Sequence, residues 1–365
     1  MQNRRYPISI QGQIFSVEEQ ILHAYSTLFS NDHGASDLIE AECLCRGSTH
    51  KINGNDRAKV LIKRRSDRDG FYLFRAPNTG ASHGIYCIFN TIPEKHCGRK
   101  VYTPSTIIET LDGNLKVTMK KRLLRSNEQF SASKANTGQF TCLTLKAVLD
   151  LLWSEAKLNR WHPEPKFRKR LGIVCADLTK VAARILSQET PVSKNLLVHA
   201  PIGSNLEIAN AEIVSNATQQ NSMLLIFAPL KPWITDRPGP GPKLPIVGNF
   251  GLQAIFLPAH VWAKTSSKFS TEINLWEQGH NVMAIAQVVP QQSGNFVVAQ
   301  VREVALMAVS DSWIPVYSQE DIKQELSIRN SLTSFIKPLR FDSSPDVDLP
   351  SFIIAAGDHY QILNH

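Results

Sequence analysis

The sequence has no long apolar run. Its longest nearly uninterrupted apolar stretch, Leu252 to Ala263, is a dozen residues, short of the roughly 20 that a helix needs to cross a bilayer. No membrane span is therefore expected. No apolar segment follows Met1-Gln-Asn-Arg-Arg-Tyr-Pro7 either, which argues against a secretory signal and for a cytoplasmic protein. Cysteine is sparse, six in 365 residues. Where thiols stay reduced, this excludes a disulfide framework and leaves metal binding or packing. A Walker loop, a dinucleotide-binding glycine fingerprint and a zinc-protease helix motif are all missing, so the usual NTPase, dehydrogenase and metalloprotease readings fall away.

Two short look-alikes fail on context. Gly80-Ala-Ser82-His-Gly84 spells a nucleophile elbow, which needs a strand before the serine and a helix after it, yet Arg75-Ala-Pro-Asn-Thr79 reads as a loop. Glu164-Pro165-Lys166 imitates the end of a nuclease carboxylate-lysine set, but proline excludes the central strand such a site requires. No catalytic residue is assigned.

What the chain does have is unevenly placed positive charge. The net +8 divides into +12 over residues 1–200, with 30 basic against 18 acidic side chains, and −4 over 201–365, with 10 against 14. Residues 51–125 hold 16 basic and 6 acidic side chains, among them Lys63-Arg64-Arg65 and Lys120-Lys121-Arg122 with Arg125. A basic half joined to a mildly acidic one points to a polyanion-facing module beside a module with another job.

Pattern divides the chain into three parts: a basic module over 1–135, a helical unit over 136–199 and an α+β domain over 200–365. In the first, Tyr6 to Phe15 alternates as a hairpin, Val17 to Leu28 has helical spacing behind a Ser16/Glu19 capping box, and Lys59–Ile62 and Phe71–Phe74 read as strands. Ser126 to Gly138 reads as a linker. An amphipathic helix over 143–158 stops at Trp161-His-Pro-Glu-Pro165, a second runs from Arg168 to Ser187, and Asn195 to His199 turns extended. Beyond 200, strands are expected at 222–228, 252–257, 282–289, 296–309 and 352–356, with helices near 260–278 and 318–331, giving a mainly antiparallel sheet.

The sharpest chemical feature is Cys43-Leu-Cys45 followed, after 37 residues, by His83-Gly-Ile-Tyr-Cys87. Three thiolates and one imidazole form the soft donor set of a structural tetrahedral zinc site. His96 and Cys97 are alternative ligands, whereas Cys142 and Cys175 sit in apolar helical patterns as core filler. The order helix, basic turn, helix, extended segment over 143–199 is that of a helix-turn-helix or winged-helix unit, with Lys166, Arg168, Lys169 and Arg170 placed to grip phosphates at a helix start.

Several blocks carry a resemblance. Arg75-Ala-Pro-Asn-Thr-Gly-Ala-Ser-His83 with Cys87, Leu151-Leu-Trp-Ser-Glu-Ala-Lys-Leu-Asn-Arg-Trp161, Glu303-Val-Ala-Leu-Met-Ala-Val309 with Trp313-Ile-Pro-Val316, and Lys337-Pro-Leu-Arg-Phe-Asp342 resemble an uncharacterised bacterial family, domain of unknown function 1173. The resemblance spans roughly residues 40–345 and implies carriage by plasmids and integrative elements. It supplies no reaction. Where the family pattern has Gly-Glu-x-Lys, this chain reads Phe227-Ala-Pro-Leu-Lys231, without the acidic residue. The expectation is a zinc-stabilised nucleic-acid-binding protein of a mobile element, with DNA as partner and further protein contacts through the C-terminal domain. The alternatives are a nucleic-acid-processing enzyme using Lys231, Glu303 and Asp311, and a protein-interaction or assembly module.

Overall fold

The computed structural model describes residues 5–22, 26, 38–46, 58–64, 70–120, 139–164, 170–234, 239–344, 346–356 and 359–364. The first sheet is antiparallel and five-stranded. Strands β1 (Ile8–Ile10) and β2 (Gln13–Phe15) form the expected hairpin, and β3 (Leu38–Cys43), β4 (Lys59–Arg64) and β5 (Phe71–Arg75) extend it in the order β2-β1-β3-β4-β5. Period-two alternation turns Ile8, Ile10, Ala41, Cys43, Val60 and Ile62 to one buried face. Helix α1 (Val17–Ile21) starts at the anticipated capping box: Ser16 Oγ accepts from the Glu19 amide at 3.2 Å, and the Glu19 carboxylate accepts from the Ser16 amide at 2.6 Å. The helix ends at Ile21 with Leu22 as its cap, and residues 23–25, 27 and 28 of the expected longer helix lie outside the described residues.

A second sheet joins β6 (Ile107–Glu109) and β7 (Leu115–Val117) to strands from much later in the chain. Helix α2 (Leu145–Glu155) and the two-residue β8 (Arg160–Trp161) are followed by α3 (Leu171–Ala182), β9 (Ile185–Ser187) and β10 (Thr190–Pro191), and β9 pairs in parallel with β7. β11 (Leu196–Val198), α4 (Asn205–Gln219), β12 (Leu224–Pro229) and β13 (Ala254–Phe256) come next. They precede α5 (Ala259–Lys268), α6 (Ser270–Glu277) and the long hairpin β14 (Asn281–Ser293)/β15 (Phe296–Val309). The third sheet runs β11-β12-β14-β15-β13, antiparallel at its centre with parallel partners at both edges. Finally α7 (Gln319–Asn330), β16 (Phe335–Ile336), β17 (Phe352–Ala356) and β18 (His359–Leu363) appear, and the last three strands form an antiparallel sheet with β8.

The expected strands and helices recur, but helix α4 and strands β6 and β7 are not anticipated by the sequence pattern, residues 185–187, expected to end the second helix, form β9 instead, and two further departures are instructive. The single helix expected near 260–278 is two helices, broken at the buried Phe269, whose φ of −116° and ψ of 38° leave the helical region. The 143–158 helix, expected to be amphipathic, is buried at ten of its eleven residues. Its charges do not face water. Lys146 Nζ donates to Asp150 at 2.7 Å, Asp150 also accepts from the Phe341 amide at 2.8 Å, and Glu155 accepts from Arg99 at 2.7 Å. Spacing four apart places Lys146 and Asp150 in contact, and their mutual attraction with the Phe341 hydrogen bond offsets the cost of taking both charges out of water.

Packing does not break near residue 199. One hydrophobic core runs from Tyr102 through α2, α3 and the third sheet to Phe341, and β11, at the end of the expected helical unit, is an edge strand of that sheet. The first sheet has its own smaller core.

Candidate metal centre

Cys43 ends β3, held by the pairing of Ile8 with Cys43 and by the Cys43 amide donating to the Ala58 carbonyl at 2.6 Å. Cys45 lies two residues beyond, where the chain has left the sheet. His83 and Cys87 arrive from the other side of the first core. A short 3-10 turn at Gly80–Ser82 ends at His83, and a tight turn closed by the Cys87 amide donating to the Gly84 carbonyl at 2.8 Å brings Cys87 back beside it. That turn also settles the Gly80-Ala-Ser82 look-alike, because neither a strand precedes Ser82 nor a helix follows it.

The four donor atoms lie within 4.8 Å of one another and could hold a metal ion. Cys43 Sγ is 3.8 Å from Cys87 Sγ, and His83 Nδ1 is 3.6 Å from Cys45 Sγ and 3.5 Å from Cys87 Sγ. Cys43, His83 and Cys87 are buried and Cys45 is half-buried. His83 Nε2 faces the Lys59 carbonyl at 3.2 Å, so its proton belongs on Nε2 and Nδ1 is left with a lone pair toward the sulfurs. A ring nitrogen directed by a backbone carbonyl is the usual outer support of a metal-bound histidine.

The thiols divide their protons unevenly. Cys45 is held far below its usual range by hydrogen bonds from Cys43 and Cys87, with the Gly84 amide, 3.1 Å from Cys45 Sγ, adding to the effect. Cys43 is pushed far up by its hydrogen bonds to Cys45 and Cys87 and by burial. The Cys43 thiol lowers Cys87, but the hydrogen bond to Cys45 and burial outweigh it and push Cys87 up to about 12. The cluster thus concentrates negative charge on one sulfur, and a bound cation would draw all three into the thiolate form. Gly84 is required by close approach: a Cβ there would stand 2.7 Å from the Cys45 carbonyl oxygen.

Outside the ligands, Asn90 ties the centre to the rest of the molecule. It is fully buried. Its amide donates to the Cys87 carbonyl at 3.0 Å, and its Nδ2 donates at 2.8 Å to both the His83 carbonyl and the Tyr360 hydroxyl. Its own carbonyl accepts from Lys157 Nζ at 3.1 Å and Arg160 Nη2 at 2.8 Å. Burial pushes the Arg160 guanidinium down, while the Tyr360 hydroxyl and the Cys87 sulfur pull against it.

The remaining expected residues are dispersed. His96 and Cys97 are not part of the cluster; Cys97 is buried beside Gly98, whose amide donates to the Leu339 carbonyl. Cys142 and Cys175 are buried, and burial pushes Cys175 up to about 11. Lys63 and Arg64 end β4, Lys120 is exposed after β7, and Arg170 is exposed at the start of α3. Arg65, Lys121, Arg122, Arg125, Lys166, Arg168 and Lys169 lie outside the described residues. Lys231, Glu303 and Asp311 do not converge. Lys231 follows the end of β12 and Asp311 follows β15, but Glu303 pairs with Gln287, four residues along the ladder from the Met283–Met307 pair beside Pro229, roughly 13 Å at about 3.4 Å per residue.

Asn90, Gly84 and the Lys59 carbonyl had no sequence signal. A carbonyl is supplied by any residue, and Asn90 acts through a loop whose conformation only the fold fixes.

The chain belongs to the family described as protein of unknown function (DUF1173), whose match covers residues 15–362. Comparison with curated proteins and with solved structures gives no match.

Proposed function

We propose that this is a nucleic-acid-binding protein whose basic N-terminal sheet is held in shape by one structural zinc ion, and that it serves a bacterial mobile element without itself being an enzyme. The observation that carries the reading is the His83 Nε2 to Lys59 carbonyl contact. It braces against the Cys3His cluster the same strand that ends in Lys63-Arg64. Zinc is favoured by the donor spacing. Bonds of about 2.3 Å to sulfur and about 2.0 Å to nitrogen at tetrahedral angles separate two sulfurs by about 3.8 Å and sulfur from nitrogen by about 3.5 Å, close to the 3.8, 3.6 and 3.5 Å of three of the donor pairs, with every pair within 4.8 Å. Four protein donors leave no open position for a reacting water, which is the arrangement of structural rather than catalytic zinc. Three thiolates around a divalent cation carry one net negative charge, and the buried Arg160 guanidinium is positioned to face it.

Within this reading the 143–199 segment keeps a restricted role. α2 is enclosed and cannot enter a groove, so α3, with Arg170 exposed at its start, would be the element that meets a backbone phosphate. The partner is expected to be DNA, gripped mainly through phosphates.

The test is binding of purified protein to duplex DNA followed by anisotropy across a salt series. Tight binding near about 50 mM salt, with a slope of about −0.9 in log affinity against log salt for each phosphate contact, is expected, and Lys63→Ala with Arg64→Ala should flatten that slope by about 1 for each phosphate the strand no longer reaches. Absence of binding at low salt overturns the nucleic-acid reading. Elemental analysis decides the metal separately, with about one zinc per chain expected for a closed site.

A further inference from the structure

A second polar site lies on the opposite side of Asn90 from the sulfurs. A cavity of about 290 Å³ opens between β5, the β6/β7 hairpin and the C-terminal end of α2, and its walls include Arg75, Glu109, Glu155, Lys157, Arg184 and Phe89. Its charges do not balance. Glu109 is taken by Arg75, to which it is ion-paired, and it also accepts from the Asn78 amide at 2.9 Å. Glu155 is taken by Arg99 at 2.7 Å. Among the described residues Lys157 forms no close ion pair, although Glu155 attracts it from farther off, and its Nζ donates to the Asn90 carbonyl at 3.1 Å. That carbonyl is already shared with Arg160, two of whose guanidinium nitrogens, Nε and Nη1, are buried without an acceptor. The Arg184 side chain has no hydrogen-bonding or ion-pair partner among the described residues, although its backbone carbonyl is fixed by the Leu115 amide at 2.8 Å.

We propose that this cavity binds a phosphate group. Two cations, Lys157 half-buried and Arg184 exposed at the rim, stand around it without an ion pair among the described residues, and a phosphate monoester dianion supplies the two missing charges and the several acceptor oxygens that an ammonium and a guanidinium seek. Burying an ammonium beside other cations is costly unless an anion joins it, and burial together with Arg160 pushes Lys157 well below its ordinary value, as such a site would before its anion arrives. The backbone is committed to this placement too: Lys157 sits in the left-handed region at φ 57°, after the end of α2, with its amide donating to the Ser154 carbonyl at 3.1 Å. Leu73, Phe74, Ile88 and Leu115 also line the cavity and add apolar residues beside the charged ones, suited to a phosphate carried on an organic group as well as to the free ion.

The phosphate could come free, on a mononucleotide, or on the end of a nucleic-acid strand, and calorimetric titration of the full chain separates these sources. The probes are inorganic phosphate, AMP against adenosine, and a short single-stranded oligonucleotide with and without a 5′-phosphate. Binding of at least one phosphorylated probe, lost in its unphosphorylated counterpart and weakened about tenfold or more by Arg184→Ala and by Lys157→Asn, is the expected result. Asparagine is chosen because it tolerates positive φ. Arg184 is exposed, so Arg184→Ala folds even where Lys157→Asn does not, and decides the matter alone in that case. No heat with any phosphorylated probe at millimolar concentration, or equal affinity in wild type and Arg184→Ala, overturns the proposal. Binding of duplex DNA lacking terminal phosphates is untouched by these variants, so this site and the nucleic-acid reading fail separately.

Discussion

The first sheet and the third sheet are both five-stranded, and they are held together in different ways. The third sheet is covered by α2, α5 and α6, its central hairpin runs 13 and 14 residues, and its core reaches from Tyr102 to Phe341. At about 25 cal/mol for each Å² of apolar surface buried, a core of this extent supplies the main term opposing chain entropy. The first sheet has strands of three to six residues and a core of nine buried side chains, two of which, Cys43 and Cys87, are themselves metal-ligand candidates. Apolar packing on that scale is marginal, so a closed metal site would supply what area cannot.

The largest effect expected breaks this comparison at its weak side. Removing zinc with a chelator, or replacing a ligand in Cys87→Ser, should unfold the first sheet at a cost on the order of 10 kcal/mol of metal binding, while the β14/β15 hairpin stays folded. Hydrogen exchange checks it: protection is lost over residues 8–15, 38–43, 59–64 and 71–75 and kept over 281–309. Uniform loss, or none, removes the distinction between the regions. Next in size is Phe227→Ala. The ring is fully buried, tilted against Trp153 at 5.9 Å between centroids, and its removal should cost about 3–5 kcal/mol. Denaturant unfolding should show that loss in the main transition, with zinc content of the folded protein unchanged.

Much of this contrast was legible in the sequence, and the reasons are specific. Alternation over 296–309 and 59–62, and Ser16 with Glu19, report local geometry that tertiary packing did not overrule. Cys43, Cys45, His83 and Cys87 could be grouped because few residue types make soft ligands and their spacing in sequence resembles paired knuckles. The burial of α2 was not legible, since Lys146, Asp150 and Glu155 look like a solvent face until Arg99 and the Phe341 amide are brought to them from distant segments. The family blocks tell the same story. Within Lys337–Asp342, Lys337 pairs with Asp321 at 2.6 Å, and Asp342 accepts from the Tyr102 hydroxyl at 2.6 Å and from Thr144 Oγ1 at 2.5 Å, which are ties inside the fold that a letter pattern does not distinguish from a reactive site.

Acid should separate the regions in order. Burial alone would raise the Glu155 carboxyl, but Arg99, Lys157 and Arg75 outweigh it and hold Glu155 far below the usual carboxylate range. Its folded value is thus below its unfolded one, so its contribution to stability is complete above the ordinary value of about 4.3 and is lost as pH falls through the folded value. Metal ligands must be deprotonated to bind, so a zinc ion held as proposed would be lost at higher pH than that. Acidification should therefore release zinc and the first sheet before the main core loosens, with a chromogenic chelator reporting the first event and near-ultraviolet circular dichroism the second. Simultaneous transitions would argue that one core serves both.

The smallest of these effects concerns the joint between the two regions. Asn90→Ala leaves its backbone carbonyl, and hence the Lys157 and Arg160 hydrogen bonds to it, in place. It deletes the donors to the His83 carbonyl and the Tyr360 hydroxyl and the Oδ1 acceptor that Arg160 Nη2 reaches at 3.1 Å. Among the described residues the His83 carbonyl keeps only the Arg46 guanidinium, at 3.5 Å, and the loss of its close donor sets the cost at about 1–3 kcal/mol. Because that carbonyl belongs to a candidate metal ligand, the loss should also appear as faster release of the proposed zinc, whereas Phe227→Ala, equally buried but remote from the sulfurs, should leave release from the folded protein unchanged. If Asn90→Ala lowers stability and leaves zinc release at the wild-type rate, the asparagine merely fills space between two independently supported sheets. If both change together, the metal centre is anchored through Asn90 to the body that carries the larger core.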